Sequence, residues 1–465
     1  MADANRVQVS TLEEKTWGTT NAAVGSITVN QADVAVGDTS VTISGGAALT
    51  VGDTFTVAGD TQVYIVKTDT SNTVVAFSPA AKVAWANTAA ITTNNVVELP
   101  IRGGSMSESP DTVRSSQLRS DAQLADMKRT GVEPTAAFDF EMQADNMDNI
   151  LRAALRNSPA NTWSNFAITA TTISATASDK SLNDSGSGFS TSIPKGSWIY
   201  VSGFTGDTSN NGWKQVSKTT APTAAKIIVE QTLVDDGATE SVTITSSEIR
   251  NGSDLTSFSL QMANLDIAST FRLITGARIP DFGLNISSQS IITGNVGFSG
   301  KRMTRPTSAS GAGSVTTAAD VDVMSEVTAF DGFWIGGSEI TTYEMVSASL
   351  NISTTARPQV GLGNLQKVGM NLGPIDVTGS VEFYLESANY ATLQDYLLGF
   401  TSFEFAFALS DGTNRYFFHM PQVKLTSEPG TVGGIDTDMM LSFDFAADPA
   451  DIGGVTKTIQ VSRVS

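Results

Sequence analysis

The sequence predicts an all-β protein with minor α: two tandem β-sandwich or barrel domains, each flanked by one helix, plus two small β insertion modules. Three observations carry that reading. First, Ala136–Leu155, AAFDFEMQADNMDNILRAAL, alternates Phe138, Phe140 and Met142 with Asp139, Glu141 and Gln143, the period-2 pattern of a half-buried strand. Asn146 then stands where a helix cap belongs, and Met147, Ile150, Leu151, Ala154 and Leu155 share one helical face. Second, Gly379–Leu398, GSVEFYLESANYATLQDYLL, repeats this stretch without a gap. Val381, Phe383 and Leu385 take the apolar strand places, Asn389 that of Asn146, Tyr390 that of Met147 and Leu393 that of Ile150. Third, the stretches C-terminal to the two copies match as well. Phe258 corresponds to Phe403, Pro280 to Pro421, Val296 to Leu441 and Phe298 to Phe443. A repeat of this kind reads as a tandem duplication.

Taken in order, residues 1–22 read as an arm, either a disordered terminus with one hydrophobic residue or a segment that docks Trp17 of the polar stretch EEKTWGTT on a neighbouring subunit. Residues 23–95 form a small β module, in which LTVGDTFTVAG (49–59) is a strand entered through Gly52 and Asp53. Residues 96–161 and 248–305 make up the first copy of the repeated domain. Residues 162–247 are an inserted module of similar kind, with Gly196 matching Gly52 and Val201 matching Val57. Both modules lie outside the repeated unit, as surface insertions do, and are expected to be external decoration. Residues 306–338 read as a linker ending in DGFWIGG (331–337), residues 339–453 as the second copy and 454–465 as a tail. Each copy contains a long polar segment between strands, Ser105–Gly131 and Ser353–Gly373. Loops of that length in a compact domain are usually functional or disordered, so each reads either as a solvated hairpin tip or as a contact arm to another copy.

The chain has 465 residues, 28 Lys and Arg against 47 Asp and Glu, a net charge of −19 and no cysteine. That balance argues against a protein that grips nucleic-acid phosphates, and disulfides and thiolate metal sites are excluded. The start, MADANRVQVS, does not have the pattern of a signal peptide, and no apolar run approaches the roughly 20 residues of a membrane helix. Motifs for chemistry fail on inspection. His419 is the only histidine and reads as a packed structural residue. GFSGKR (297–302) lacks the first glycine of a phosphate loop, and DTSNNG (207–212) has Lys218 where a calcium loop needs a bidentate Glu. No metal, cofactor or catalytic set is expected.

The chain resembles the tail tube proteins of long-tailed, non-contractile bacteriophages. The resemblance rests on EEKTWGTT, LRSDAQLADMKRTG (118–131), FDFEMQADNMDNILRAAL (138–155), SFSLQMANLDIASTFRLITG (257–276) and NVGFSGK (295–301), in that order. It implies a structural protein of the virion tail, assembled in the host cytoplasm, whose β domains form rings stacked into a hollow tube. Two fused tube domains would let three chains make a pseudo-hexameric ring. It further implies partners: other copies of the chain, a tape measure protein, and tail terminator or distal tail proteins.

A sheet with one apolar face needs covering on that side only. Its wet face would line the channel, with Asp139, Glu141, Glu382, Glu386, Glu404 and Asp444 repelling DNA so that it passes without specific binding and slides during ejection. The long segments, with Arg114, Arg119, Asp121, Asp126 and Lys128 in the first and Arg357 and Lys367 in the second, are expected to join one ring to the next. The alternative is an extracellular adhesin or glycan-binding β protein. No contact with membrane is expected.

Overall fold

The alternation in Phe138–Glu141 produces what period 2 requires: Phe138 and Phe140 are buried and Asp139 is exposed. In this computed structural model the described residues are 6–22, 24–25, 27–44, 49–68, 74–94, 96–121, 123–158, 163, 165–268, 270–310, 315–325, 330–341, 345–385, 387–427 and 438–464. The first half of the repeat contains β1 (Val7–Glu13), β2 (Gly103–Arg114), β3 (Met127–Glu141), α1 (Asp148–Ala154), β4 (Phe258–Asn264), β5 (Phe271–Ser287), β6 (Thr293–Ser299) and β7 (Arg302–Thr304). The second contains β8 (Phe330–Ile335), β9 (Met345–Ser353), β10 (Asp376–Tyr384), α2 (Ser387–Leu398), β11 (Phe403–Ser410), β12 (Arg415–Ser427), β13 (Met440–Ala447) and β14 (Gln460–Val464).

The antiparallel pairing scheme repeats strand for strand. β1–β4, β2–β3, β3–β6, β4–β5, β5–β6 and β5–β7 in the first half correspond to β8–β11, β9–β10, β10–β13, β11–β12, β12–β13 and β12–β14 in the second. With Phe138 set against Val381 and Phe258 against Phe403, the ladders shift the other two matches. Val296 faces Phe138 as Phe443, not Leu441, faces Val381, a slip of two that keeps the buried face. Phe258 faces Ala277 while Phe403 faces Val423, so Pro280 and Pro421 are not equivalent.

Residues 6–22 are not a free arm. β1 pairs along its whole length with β4, from Val7 opposite Asn264 to Glu13 opposite Phe258. Trp17 docks inside its own chain: its indole Nε1 donates to the Gly276 carbonyl at 3.1 Å, with Lys301 and Arg278 near its ring. The stretch read as a linker likewise supplies β8, which adds Phe333 and Ile335 to the core. One apolar core runs through both halves and takes in the buried faces of both helices.

Asn146 does not cap α1. Met147 holds the N-cap position without a side-chain bond, while Asn146 donates to Gln143 Oε1 (3.1 Å) and to the Ala319 carbonyl (3.1 Å). Asn389 lies inside α2. Leu393 is buried, as expected of the covering helix, but Tyr390 is exposed.

The first small module is a closed six-stranded barrel with its own core of Phe55, Tyr64, Phe77 and Trp85. The inserted module packs a four-stranded sheet against a three-stranded one. Gly52 and Gly196 both sit at positive φ, +87° and +73°, at the turn into the matched strands, where only glycine escapes strain. Neither module is loosely attached. Trp198 and Trp213 of the inserted module are buried with Trp334 and Phe417 of the second half. The barrel's Gln62 accepts from Arg463, and its Lys82 pairs with Asp145 beside α1.

Candidate functional site

The feature built by both halves together is one continuous wet sheet face. Eight strands join in the order β2–β3–β6–β5–β9–β10–β13–β12, and the seam between halves is the β5–β9 ladder, from Asp281 opposite Ser353 to Ser287 opposite Ser347. Period 2 sends Met106, Phe138, Phe140, Phe282, Leu350, Val381 and Phe443 into the core. The opposite face is small and polar: Ser105, Asp139, Asn295, Asn285, Ser349, Asn351, Ser380, Glu382 and Asp444. Ser349 and Ser380 share a hydrogen bond across the strands at 2.8 Å, and Ser347 donates to Glu382 at 3.2 Å. Among its charges, Asp139, Asp281, Glu382 and Asp444 outnumber Lys424, which is itself paired with Asp448 at 2.8 Å. Burial raises the Asp281 carboxyl above its usual range.

Of the residues expected to line a channel, Asp139, Glu382 and Asp444 lie on this face, with Glu141 at its edge, half-buried. Glu386 falls outside the described residues. Glu404 is misplaced. It lies on β11, which belongs to the second layer, and forms an ion pair with Lys218 of the inserted module. The two line a cleft of about 590 Å³ together with Lys214, Glu230 and Glu339. Alternation alone told inside from outside on β11 but not which outside. The sequence reading also missed that Ser and Asn residues, more than carboxylates, make up the face. The signal was present in SASLNIS (347–353), whose polar positions all point one way.

The two long segments are hairpins of different fates. β2 and β3 extend together to Arg114 and Met127, forming an arm whose described residues from Ser109 to Thr130 are exposed apart from the half-buried Ala125. Arg119 pairs with Asp121 at 2.7 Å, Lys128 with Asp126, and Arg129 with Glu108 at 2.7 Å. In the second half the hairpin Ala356–Gln359 with Gly369–Leu372 is separated from β9 and β10 and lies against the first half. There Lys367, expected to reach another ring, is buried and donates to Glu133 at 2.8 Å and to Ser299 at 3.3 Å within the same chain. Arg357 stays local, donating to the Leu372 carbonyl at 3.3 Å.

His419 is buried against Trp198, ring centroids 5.6 Å apart, and neither nitrogen has a hydrogen-bond partner among the described residues. No group of three or more His, Asp or Glu able to hold a metal is found among the described residues.

The two halves thus form a duplicated sheet domain whose polar face runs unbroken from one copy to the next, with helices on the apolar side. The sequence matches the phage tail tube protein family over residues 4–447, and the chain belongs to that family. It is therefore a structural protein of a phage tail. No curated protein matches the chain.

Proposed function

We propose that three chains close into a ring, that rings stack into a hollow tube, and that the eight-stranded polar face is the tube's inner wall. The observation that carries this is the β5–β9 ladder. It joins copy one to copy two in one sheet, so the same join repeated between chains generates a closed ring of six like domains. The wall is acidic and covered with short hydroxyl and amide side chains. DNA carries about one negative charge per 1.7 Å of axis. A wall that offers it few cations and little apolar surface lets it slide through during ejection without specific binding. Arg114, Arg119, Asp121, Asp126 and Lys128, on the exposed first hairpin, serve contacts between chains. Assembly would take place in the host cytoplasm, before the tail joins the virion. The test is electron microscopy of concentrated protein: hollow tubes or rings are expected, and isolated particles at every concentration would defeat the proposal.

A further inference from the structure

Inside one chain, the second hairpin shows how one copy rests on its neighbour. Lys367 is 3% exposed and bonded to Glu133 and Ser299 of the first half, Met370 is 2% exposed, and the Thr354 amide donates to the Pro280 carbonyl at 2.7 Å. The arm of the first half has no such seat. Yet the two hairpins spring from equivalent points, since Ser109 lies opposite Glu133 and Ser353 opposite Asp376. They are also nearly equal in length. Counted back from those two carboxylates, Met127 stands where Met370 stands and Leu124 where Lys367 stands. Met370 is covered, whereas Met127 is 55% exposed and Leu124 71% exposed. Val113 and Leu118 on the same arm are exposed too. Asp376, the counterpart of Glu133, is exposed and has no ion-pair partner among the described residues.

Resting on the tube reading above, we propose that the arm Ser107–Gly131 of one chain docks on the second half of another copy of this chain, across the start of β10 at Asp376. The contact made within each chain is thereby repeated between chains. Because β5 and β9 join the halves side by side, the contact is with the neighbour in the same ring rather than with the ring above. Charge does not oppose the match. The arm balances Arg114, Arg119, Lys128 and Arg129 against Glu108, Asp111, Asp121 and Asp126, so it is neutral where the whole chain carries −19, and its own exposed pairs are of the kind that contribute little and exchange easily. Burying Met127 and Leu124 supplies the apolar part of the contact.

The chain lacks cysteine, so a pair can be introduced without background. Leu124→Cys combined with Asp376→Cys, both at exposed positions, is treated with a short bismaleimide before and after polymerisation, and Met127→Cys with Asp376→Cys serves as a second pair. Polymerised protein should give covalent dimers and trimers on a denaturing gel and nothing larger, while dilute unassembled protein should give neither. Tubes of normal shape with no adduct between chains would overturn the docking and leave the tube reading standing. Products longer than three chains would also overturn it, because the arms would then bridge stacked rings. Unaltered protein that forms neither rings nor tubes would remove both readings.

Discussion

At the scale of single residues, the most consequential group is Asp148. It opens α1 in the first half yet is held by the second: Tyr416 donates its hydroxyl at 2.6 Å and Arg463 pairs with it. All three are buried. Removing one member of such a set strands the others, so Asp148→Ala should cost about 3–5 kcal/mol, and Asp148→Ala with Arg463→Met clearly less than the sum of the two. Denaturant unfolding of the four proteins checks this. His419 makes a pH prediction. Burial, then the nearby Lys218 and Arg250, holds its folded pKa down at about 3, against 6.5 when free. Between those values the unfolded chain binds a proton that the folded chain refuses. The stability His419 allows is therefore present above pH 6.5 and falls as pH drops toward 3, by about 1.4 kcal/mol per pH unit. Burial raises Glu13 and Glu248, which act in the opposite sense, so the comparison must be between proteins. Unfolding curves from pH 6.5 to 4.5 should be flatter for His419→Phe than for the native chain. On the wall, Asp139→Lys with Glu382→Lys should leave assembly intact, since exposed charges cost little, and should slow DNA ejection at low salt, with added salt restoring it. Unchanged ejection kinetics would place those carboxylates off the DNA path.

At the scale of elements, the arm and the inserted module behave differently. Deleting Ser107–Lys128 removes mostly exposed residues, so the shortened chain should fold, with unfolding within about 1 kcal/mol of the native chain, and should fail to form rings or long tubes. Normal polymerisation would show the arm to be dispensable. The sequence marks the inserted module as removable decoration, but it covers Trp334 and Phe417 with Trp198 and Trp213, ring centroids of Trp198 and Phe417 being 4.3 Å apart. Replacing residues 165–244 by a short Gly/Ser bridge should give a chain that aggregates, because large apolar side chains are newly exposed. Adding Trp334→Thr and Phe417→Thr should recover soluble protein, which size-exclusion chromatography would show.

At the scale of the whole molecule, the chain behaves as two linked tiles. The β5–β9 ladder fixes their angle, and the Asp148–Tyr416–Arg463 set ties the helix of one tile to β12 and β14 of the other. In the proposed ring the two copies would thus be pre-oriented before assembly, which would lower the entropy lost on closure relative to six separate domains. Native mass measurement of rings should return the mass of three chains. A value of six would mean that the two halves are not equivalent ring members.

The class of the protein was legible in the residues alone, because period-2 alternation and a gapless repeat are local signals. Phe138, Phe140, Val381 and Phe383 declare their buried face, and their polar neighbours take the other. The slip between Leu441 and Phe443 is by an even number, invisible to a pattern whose period is two. Which polar face belongs to which surface was settled by the assembled fold. Glu404 and Glu382 alternate with equally apolar neighbours, yet one meets Lys218 beneath the inserted module and the other looks onto the open sheet. Nothing local marks β1 and β8 as missing strands of the two halves, since their partners β4 and β11 lie far along the chain. Nor does anything local distinguish Lys367, seated on Glu133, from Lys128 on an open arm. Pairing across such distances depends on which surfaces remain unburied once the core has formed, and that is a property of the whole fold.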